Sequence, residues 1–526
     1  MGGLSEQPVA IGRGESGVNV PALMIQGTCS GAGKTVLVAG LCRLLARRGV
    51  RVAPFKPQNM SNNAAVTVDG GEIGRGQWLQ AVAAGVEPHS DMNPVLLKPE
   101  AERTAQVVVQ GRVAGRLEAR DFREAREPLL PRVMESYRRL RAAYDVVLVE
   151  GAGSPAEPNL RRGDIANMGF AEAADVPVWL VGDIDRGGVF ASLLGTLEWL
   201  EPADRARVEG LIINRFRGSA ELLGDAPAAL ARRTGVPVLG VVPMIPDLRL
   251  PEEDAHYRTA GPRGSAGALM VAAVAYPRIS NHDDLDALES EPGVEVRFVR
   301  DPHELRGADL VVLPGSKHVA SDLAWLRETG MAEALLRHIR YGGRVIGLCG
   351  GLQMLGRTID DPYEMEGGGA TEGLGLLPVT TRLAPKKRVQ EVRETARWPV
   401  PVAVTGYEIH YGETGGDPRW WPFVARSDDG RVLGSYLHRL FDSGPYRRAL
   451  LAELFGHQAE AGDERRRILA ELDRLADTLE AAVASEDLPW PTTAVHGDRR
   501  GQFGVGGGVA AALLVPGSRQ SRRQKL

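Results

Sequence analysis

Short apolar runs recur along the chain, and most end on a glycine, an acid or an asparagine before a stretch with apolar positions at helical spacing. The first, ALMIQG, opens at residue 22 and leads through a glycine-rich loop to Leu37, Val38, Leu41, Leu44 and Leu45, which share one helix face. The runs DVVLVEGAGS (145 to 154), PVWLVGDID (177 to 185), GLIINRF and PVLGVVP (237 to 243) continue the series. Buried strands alternating with helices predict a doubly wound, mostly parallel sheet with its site at the carboxyl ends of the strands. Residues 246 to 268 carry Pro, Gly and charge without a sustained period, and they predict a domain boundary. A second α/β series follows, with ALMVAAVA (268 to 275), DLVVLPGSK (309 to 317), RVIGLC (344 to 349) and VLGSYLH (432 to 438) as strands of another mostly parallel sheet. The expected units are 20–246, 268–460, a terminal helix within 461–490, and a glycine-rich, basic tail at 491–526 without fixed structure. The period of RRRILAELDRLADTLEAAV (465 to 483) defines that helix, which is expected to pack on the second domain.

Composition narrows the class. The chain has 526 residues, too many for one ordinary core, and 43% hydrophobic residues suffice for globular packing. A formal net charge of -4 offers no electrostatic case for nucleic acid or an anionic membrane as partner. No apolar run approaches the roughly 20 residues needed to span a bilayer, and the start of the chain does not fit a secretory signal. Three cysteines (Cys29, Cys42 and Cys349) are neither a disulfide framework nor a metal cluster, so a cytoplasmic enzyme is expected.

The loop after the first strand reads GTCSGAGKT (27 to 35). Gly27, Thr28, Gly31 and Gly33 let backbone N–H groups curl around phosphate, Lys34 reaches the outer phosphates, and Thr35 can ligate magnesium. Gly27 precedes Gly33 by six positions rather than the usual five. Glu150, at the end of the strand DVVLVE, is placed to hold magnesium or its water. The polar stretches KPQNMSNNAAVT (56 to 67) and GDIDRGGVFAS (182 to 192) open toward the same strand ends. Their Asn59, Asn62, Asp185 and Arg186 suit a phosphoryl acceptor that bears carboxylates or amides.

Cys349 stands in RVIGLCGGLQMLG (344 to 356), where a strand ends on a cysteine, two glycines follow and a helical pattern begins. A sharp strand-to-helix turn of this kind pushes one side chain out of the sheet beside backbone donors, and it is the geometry of a nucleophile elbow. A buried structural cysteine would gain little packing from a glycine pair. The N–H groups of Gly315, in LPGSK, and of Gly350 are candidates for an oxyanion hole. His410, in TGYEIHYGET, and His438, at the end of VLGSYLH, both compete to be the base, and spacing does not choose between them.

The phosphate loop resembles that of the dethiobiotin synthetase group of P-loop proteins. The resemblance implies that Asn214 reads adenine and that Glu72, in GGEIGRGQ, shares the metal with Thr35 and Glu150. Taken in order, the phosphate loop, KPQNMSNN, DIDRGGVFAS, INRFRG, LPGSK, GLCGGLQMLG, GYEIHYG and SYLHRLFD resemble the cobyric acid synthase family over roughly residues 20 to 460. That resemblance implies a dethiobiotin-synthetase-like P-loop domain joined to a class I glutamine amidotransferase-like domain. It implies ATP, Mg2+ and glutamine as co-reactants, and amidation of four peripheral carboxylates of a corrinoid, adenosylcobyrinic a,c-diamide. It assigns Cys349 as glutaminase nucleophile and His438 as its base. It names no nucleic-acid or membrane partner and leaves a homo-oligomer open. The chain departs from better-known class I amidotransferases, which place Glu two residues after the catalytic His, because Leu440 stands there. Asp442 lies close in sequence without being assigned that role. Rival readings are cobyrinic acid a,c-diamide synthase, amidation of a cell-wall carboxylate, and a partitioning-type P-loop switch carrying an inactive amidotransferase module.

Overall fold

The computed structural model describes residues 21–101, 103–118, 126–251, 267–459 and 462–483. The expected unstructured tail and most of the expected boundary segment lie outside the described residues. The first sheet has six parallel strands in the order Val238–Pro243, Val208–Phe216, Val178–Asp183, Ala22–Gly27, Val146–Glu150 and Val52–Phe55. The middles of its strands are apolar because both faces are covered, and the polar residues gather at their carboxyl ends. Met24, Val147, Val149 and Leu180 face one core, while Leu23, Ile25, Leu148 and Val181 face the other. Two small sheets, one built on Val95–Ala101 and one pairing Ala64–Val66 with Glu72–Gly74, are inserted after Phe55.

The second domain places Val294–Val299, Leu269–Val274, Leu310–Leu313, Arg344–Leu348 and Val432–Ser435 side by side in parallel, with Ala425–Arg426 antiparallel at the edge. A long antiparallel hairpin, Thr380–Ala396 with Val402–Thr414, rises from this domain toward the first. Its Tyr407 and Ile409 join Ala64, Leu96 and Val108 in a core shared by both domains. No helix among the described residues is long and apolar enough to cross a membrane.

The terminal helix, Glu464–Ala482, corrects one expectation. Its stripe of Ile468, Leu472, Leu475, Ala476 and Leu479 is buried on the phosphate-loop helix Lys34–Arg47 of the first domain, not on the second. Period alone defines an apolar face and says nothing about what covers it. Gly40 permits the close crossing, since a Cβ there would lie 2.4 Å from Leu479 Cδ1 and 2.8 Å from Leu475 Cγ. Arg43 fixes the register with a two-pronged hydrogen bond to Asp473. The chain therefore closes back over the nucleotide-binding half after completing the other domain. Leu475→Ala is expected to destabilise the protein by about 2–5 kcal/mol through lost apolar burial and the remaining cavity, measured as a lower midpoint in chemical denaturation.

Candidate active site

Cys349 leaves the strand Arg344–Leu348 with φ 50° and ψ -105°, a backbone region that is costly for any residue with a Cβ. Its N–H donates to the Ser435 carbonyl at 2.7 Å, and the helix Gly350–Leu355 starts at once. The following glycines are there for clearance. A Cβ on Gly351 would fall 1.9 Å from the Leu313 carbonyl oxygen, and one on Gly350 would fall 2.7 Å from the Ser316 nitrogen. The end of LPGSK can therefore lie against the elbow. A Cβ on Gly315 would in turn meet His438 Cε1 at 3.4 Å, so Gly315, Gly350 and the His438 ring share one small space. The first N–H groups of a helix lack intrahelical acceptors, which leaves donors beside the sulfur.

The structure separates the two histidines. His410 stacks on Tyr436 with ring centroids 3.8 Å apart, and its Nδ1 meets the Gly412 carbonyl at 2.8 Å. His438 stands near enough to Cys349 for the sulfur to act on its charge, while the Cys349 thiol donates to the Ile409 carbonyl at 3.7 Å. Its Nδ1 lies 2.8 Å from Asp284 Oδ2, and Asp284 Oδ1 accepts the Arg439 N–H at 2.7 Å. Burial opposes the charged imidazole, but Asp284 and the nearby sulfur outweigh it and raise the His438 pKa well above its ordinary value. Leu440 is fully buried in apolar surroundings, and Asp442 pairs with Arg439. The acid behind His438 thus comes from a turn 154 residues earlier, which sequence reading missed. The run NHDDLD (281 to 286), three acids after a short strand, was the signal available.

In the first domain, Gly31 (φ 75°) and Gly33 (φ 94°) take left-handed conformations that let the loop curl ahead of Lys34. The Thr28 N–H donates to the Val181 carbonyl at 2.9 Å, and Gly27 leaves room for Lys34 Nζ, which an added Cβ would meet at 3.1 Å. Lys34 Nζ donates to the Cys29 and Gly153 carbonyls, each at 3.0 Å, which turns its ammonium back over the loop. Thr35 Oγ1 donates to Glu150 Oε1 at 2.7 Å. Lys56 donates to the same oxygen, while Gln77 and Gln80 donate to Oε2. Asn214 turns inward to the loop itself, its amide donating to the Ala32 carbonyl at 2.9 Å. Arg215 bridges the Gly31 carbonyl and Asp183, and Arg186 reaches the same neighbourhood, where a Cβ on Gly31 would meet it at 3.2 Å. Asp185 is paired with Arg217 at the surface. Asn59 donates to Gln77, and the Asn62 amide oxygen is enclosed without a hydrogen-bond partner among the described residues.

Thr35 and Glu150 are hard oxygen donors at the phosphate loop and fit magnesium, which keeps most of its own waters and needs few protein ligands. Glu72, expected in the same metal set, stands among lysines. Its carboxylate is buried between Lys98 (2.8 Å) and Lys387 (2.6 Å), the latter from the other domain. Burial favours protonation, but Lys387 and Lys98 prevail and hold the carboxyl well below its usual range. No group of three or more His, Cys, Asp or Glu side chains able to hold a metal gathers among the described residues.

Comparison with known proteins places this geometry among relatives. Residues 23–256 match the CobQ/CobB/MinD/ParA nucleotide binding domain, and residues 270–446 match the CobB/CobQ-like glutamine amidotransferase domain. The chain is 79% identical over 466 residues to a cobyric acid synthase of Halorhodospira halophila, covering 89% of this chain and 96% of that one. It is 54% identical to a cobyric acid synthase of Cereibacter sphaeroides, covering 88% and 98% respectively.

Glu72→Gln strands Lys98 without its carboxylate and drives Lys387, which burial already lowers to about 7, to shed its proton, so a loss of about 3 kcal/mol is expected near neutral pH. A depressed folded-state pKa gives stability that is present above the unfolded value, here 4.5, and fades as pH falls below it. Denaturant titrations of parent and variant should therefore converge on acidification through that range.

Proposed function

Because the chain belongs to the cobyric acid synthase family, we propose that its two halves divide that family's reaction between Cys349 with His438 and the phosphate loop around Lys34. The protein is a glutamine-hydrolysing ligase that uses ATP to amidate peripheral carboxylates of a corrinoid, converting adenosylcobyrinic a,c-diamide to adenosylcobyric acid in cobalamin biosynthesis. The observation that most supports the division is the pairing, in one chain, of a cysteine elbow beside an acid-backed histidine and a phosphate loop whose Thr35 meets Glu150.

In the second domain, Cys349 attacks the glutamine carboxamide carbon while His438 takes the thiol proton and returns it to the leaving nitrogen. Backbone N–H groups of Gly350 and of the Gly315 bend face the developing oxyanion. Ammonia leaves, a glutamyl thioester remains on Cys349, and water then releases glutamate and restores the thiol. In the first domain, Gly27, Thr28, Gly31 and Gly33 shape the loop around the phosphates of ATP, and Lys34 steadies the outer ones. Asn214 acts on the nucleotide through the loop backbone that it grips. Thr35 and Glu150 would hold magnesium, which neutralises phosphate charge when bound. Glu72, the third residue expected of that set, is held by Lys98 and Lys387. A substrate carboxylate takes the γ-phosphoryl group, and ammonia displaces phosphate from the acyl phosphate to leave the amide. A carboxylate is a poor electrophile in water, and phosphorylation supplies the leaving group. Asn62 and Arg186 are offered as groups that meet the corrinoid's amides and carboxylates, with Asn59 and Asp185 behind them on Gln77 and Arg217. The reaction is set in the cytoplasm. Ammonia is mostly protonated near neutral pH, so a shielded route between the sites preserves its nucleophilicity.

Cys349→Ser is expected to abolish glutamine-dependent amidation and to leave ammonia-dependent amidation, whereas Lys34→Ala should remove both. Mass counting of amides added to a panel of corrinoid acids reads the outcome; loss of both activities in folded Cys349→Ser would contradict the two-site scheme.

A further inference from the structure

Residues Asn281 to Asp284 form a tight buried turn in which neighbouring side chains face different domains. Asp284 faces inward to His438. Asp283 is buried against the guanidinium of Arg75, the first residue of the helix Arg75–Ala84 in the nucleotide-binding domain. His282 Nε2 lies 2.7 Å from the Asn63 amide nitrogen, and Asn63 Oδ1 accepts the Asn281 N–H at 2.8 Å. The Asn281 amide donates to the Ala64 carbonyl and to the Tyr407 hydroxyl, and the Tyr407 ring stacks on His438 with centroids 5.2 Å apart. The turn thus has the first domain on one side and the His438 imidazole on the other.

The same helix reaches the nucleotide loop. Gln77 and Gln80 donate to Glu150, the partner of Thr35. Between those residues, Trp78 lies under the Arg75 guanidinium at 3.7 Å and under that of Arg439 at 4.2 Å. Arg439 follows His438 directly, and its N–H is the second donor to Asp284. One ten-residue helix therefore touches the acid neighbouring Asp284, the residue after His438, and the carboxylate at the phosphate loop. A rigid element with contacts at both ends can carry the state of one site to the other.

We propose that Asp284 is the positioning residue of the glutaminase centre and that the helix Arg75–Ala84 of the nucleotide-binding domain holds it in place, so that glutamine hydrolysis depends on how the two domains dock. A carboxylate on Nδ1 fixes the tautomer that leaves Nε2 free to accept the Cys349 proton, and it stabilises the imidazolium that forms. In amidotransferases with the acid two residues after the histidine, that acid lies within the glutaminase chain segment itself. Here Asp284 belongs to a turn that the other domain grips, and hydrolysis of glutamine without a docked partner site is disfavoured. The inference rests on the assignment of Cys349 and His438 to glutamine hydrolysis.

The test compares full-length parent, Asp284→Asn, Trp78→Ala and Cys349→Ser in glutamine-dependent and ammonia-dependent amidation, with rates of Cys349 alkylation by iodoacetamide read by peptide mass across pH. Asp284→Asn should lower the glutamine-dependent kcat by at least about 10²-fold with little change in KM, by analogy with the loss seen when a triad acid is made neutral. Its ammonia-dependent rate should stay within about twofold of the parent's. Removing the carboxylate lets the His438 pKa fall, so the limb of the pH profile set by His438 should move to lower pH, and Cys349 alkylation should slow near neutrality. Trp78→Ala should show the same pattern in weaker form, about 5- to 10-fold, and it carries the reading if Asp284→Asn does not fold. Parent-like glutamine turnover in both variants would overturn the proposal, as would equal loss of both activities in folded protein or a pH limb that does not move. Unimpaired glutamine turnover in Cys349→Ser would instead overturn the glutaminase assignment beneath it.

Discussion

Arg75 and Asp283 form an ion pair that neither domain could bury alone. Both side chains are almost wholly enclosed, one from each half of the protein. An isolated charge in that position would be prohibitively costly, so the pair exists only when the domains are docked in register. Burial favours the neutral carboxyl, yet Arg75, helped by the neighbouring cations, keeps Asp283 below its usual range. Glu72 with Lys387 and Lys98 repeats the arrangement elsewhere in the seam. Such pairs add specificity of fit more than raw stability, because their Coulomb attraction is largely offset by lost hydration. Their consequence here is geometric, since the turn that carries Asp283 also carries Asp284.

From that constraint the glutaminase centre follows. The sheet of the second domain supplies the strained elbow at Cys349, and the glycine pair after it lets the LPGSK bend approach. The sheet alone would leave His438 without an acid, because Leu440 is committed to the core. The turn at residues 281 to 284 supplies one, and the nucleotide-binding domain fixes the turn. The terminal helix packs on the same domain, closing over the phosphate-loop helix through Gly40 and sharing a core with Leu79 and Val82 of the helix Arg75–Ala84. Both devices tie the nucleotide-binding half to residues far along the chain.

Much of this was legible before folding. Strand runs and the glycine loop follow from local rules of periodicity, turn chemistry and backbone freedom, which act within about ten residues. The elbow at Cys349 was legible for the same reason, because its clearance requirement falls on adjacent glycines. Asn214 was legible as a residue at the end of its strand, but its inward grip on Ala32 was not. Glu72 was legible as a buried acid of the first domain, but its pairing with Lys387, 315 positions away, was not.

The sequence by itself determined the two α/β domains, the phosphate loop, the thiol at the elbow and the family to which they belong, since each depends on residues close together in the chain. Only the tertiary structure set Asp284 behind His438, stacked His410 on Tyr436, and laid the last helix on the first domain. Those choices depend on which buried charge meets which counter-charge and which apolar stripe finds an open face. Separation along the chain carries no information about either, because burial energy is settled only when distant segments meet.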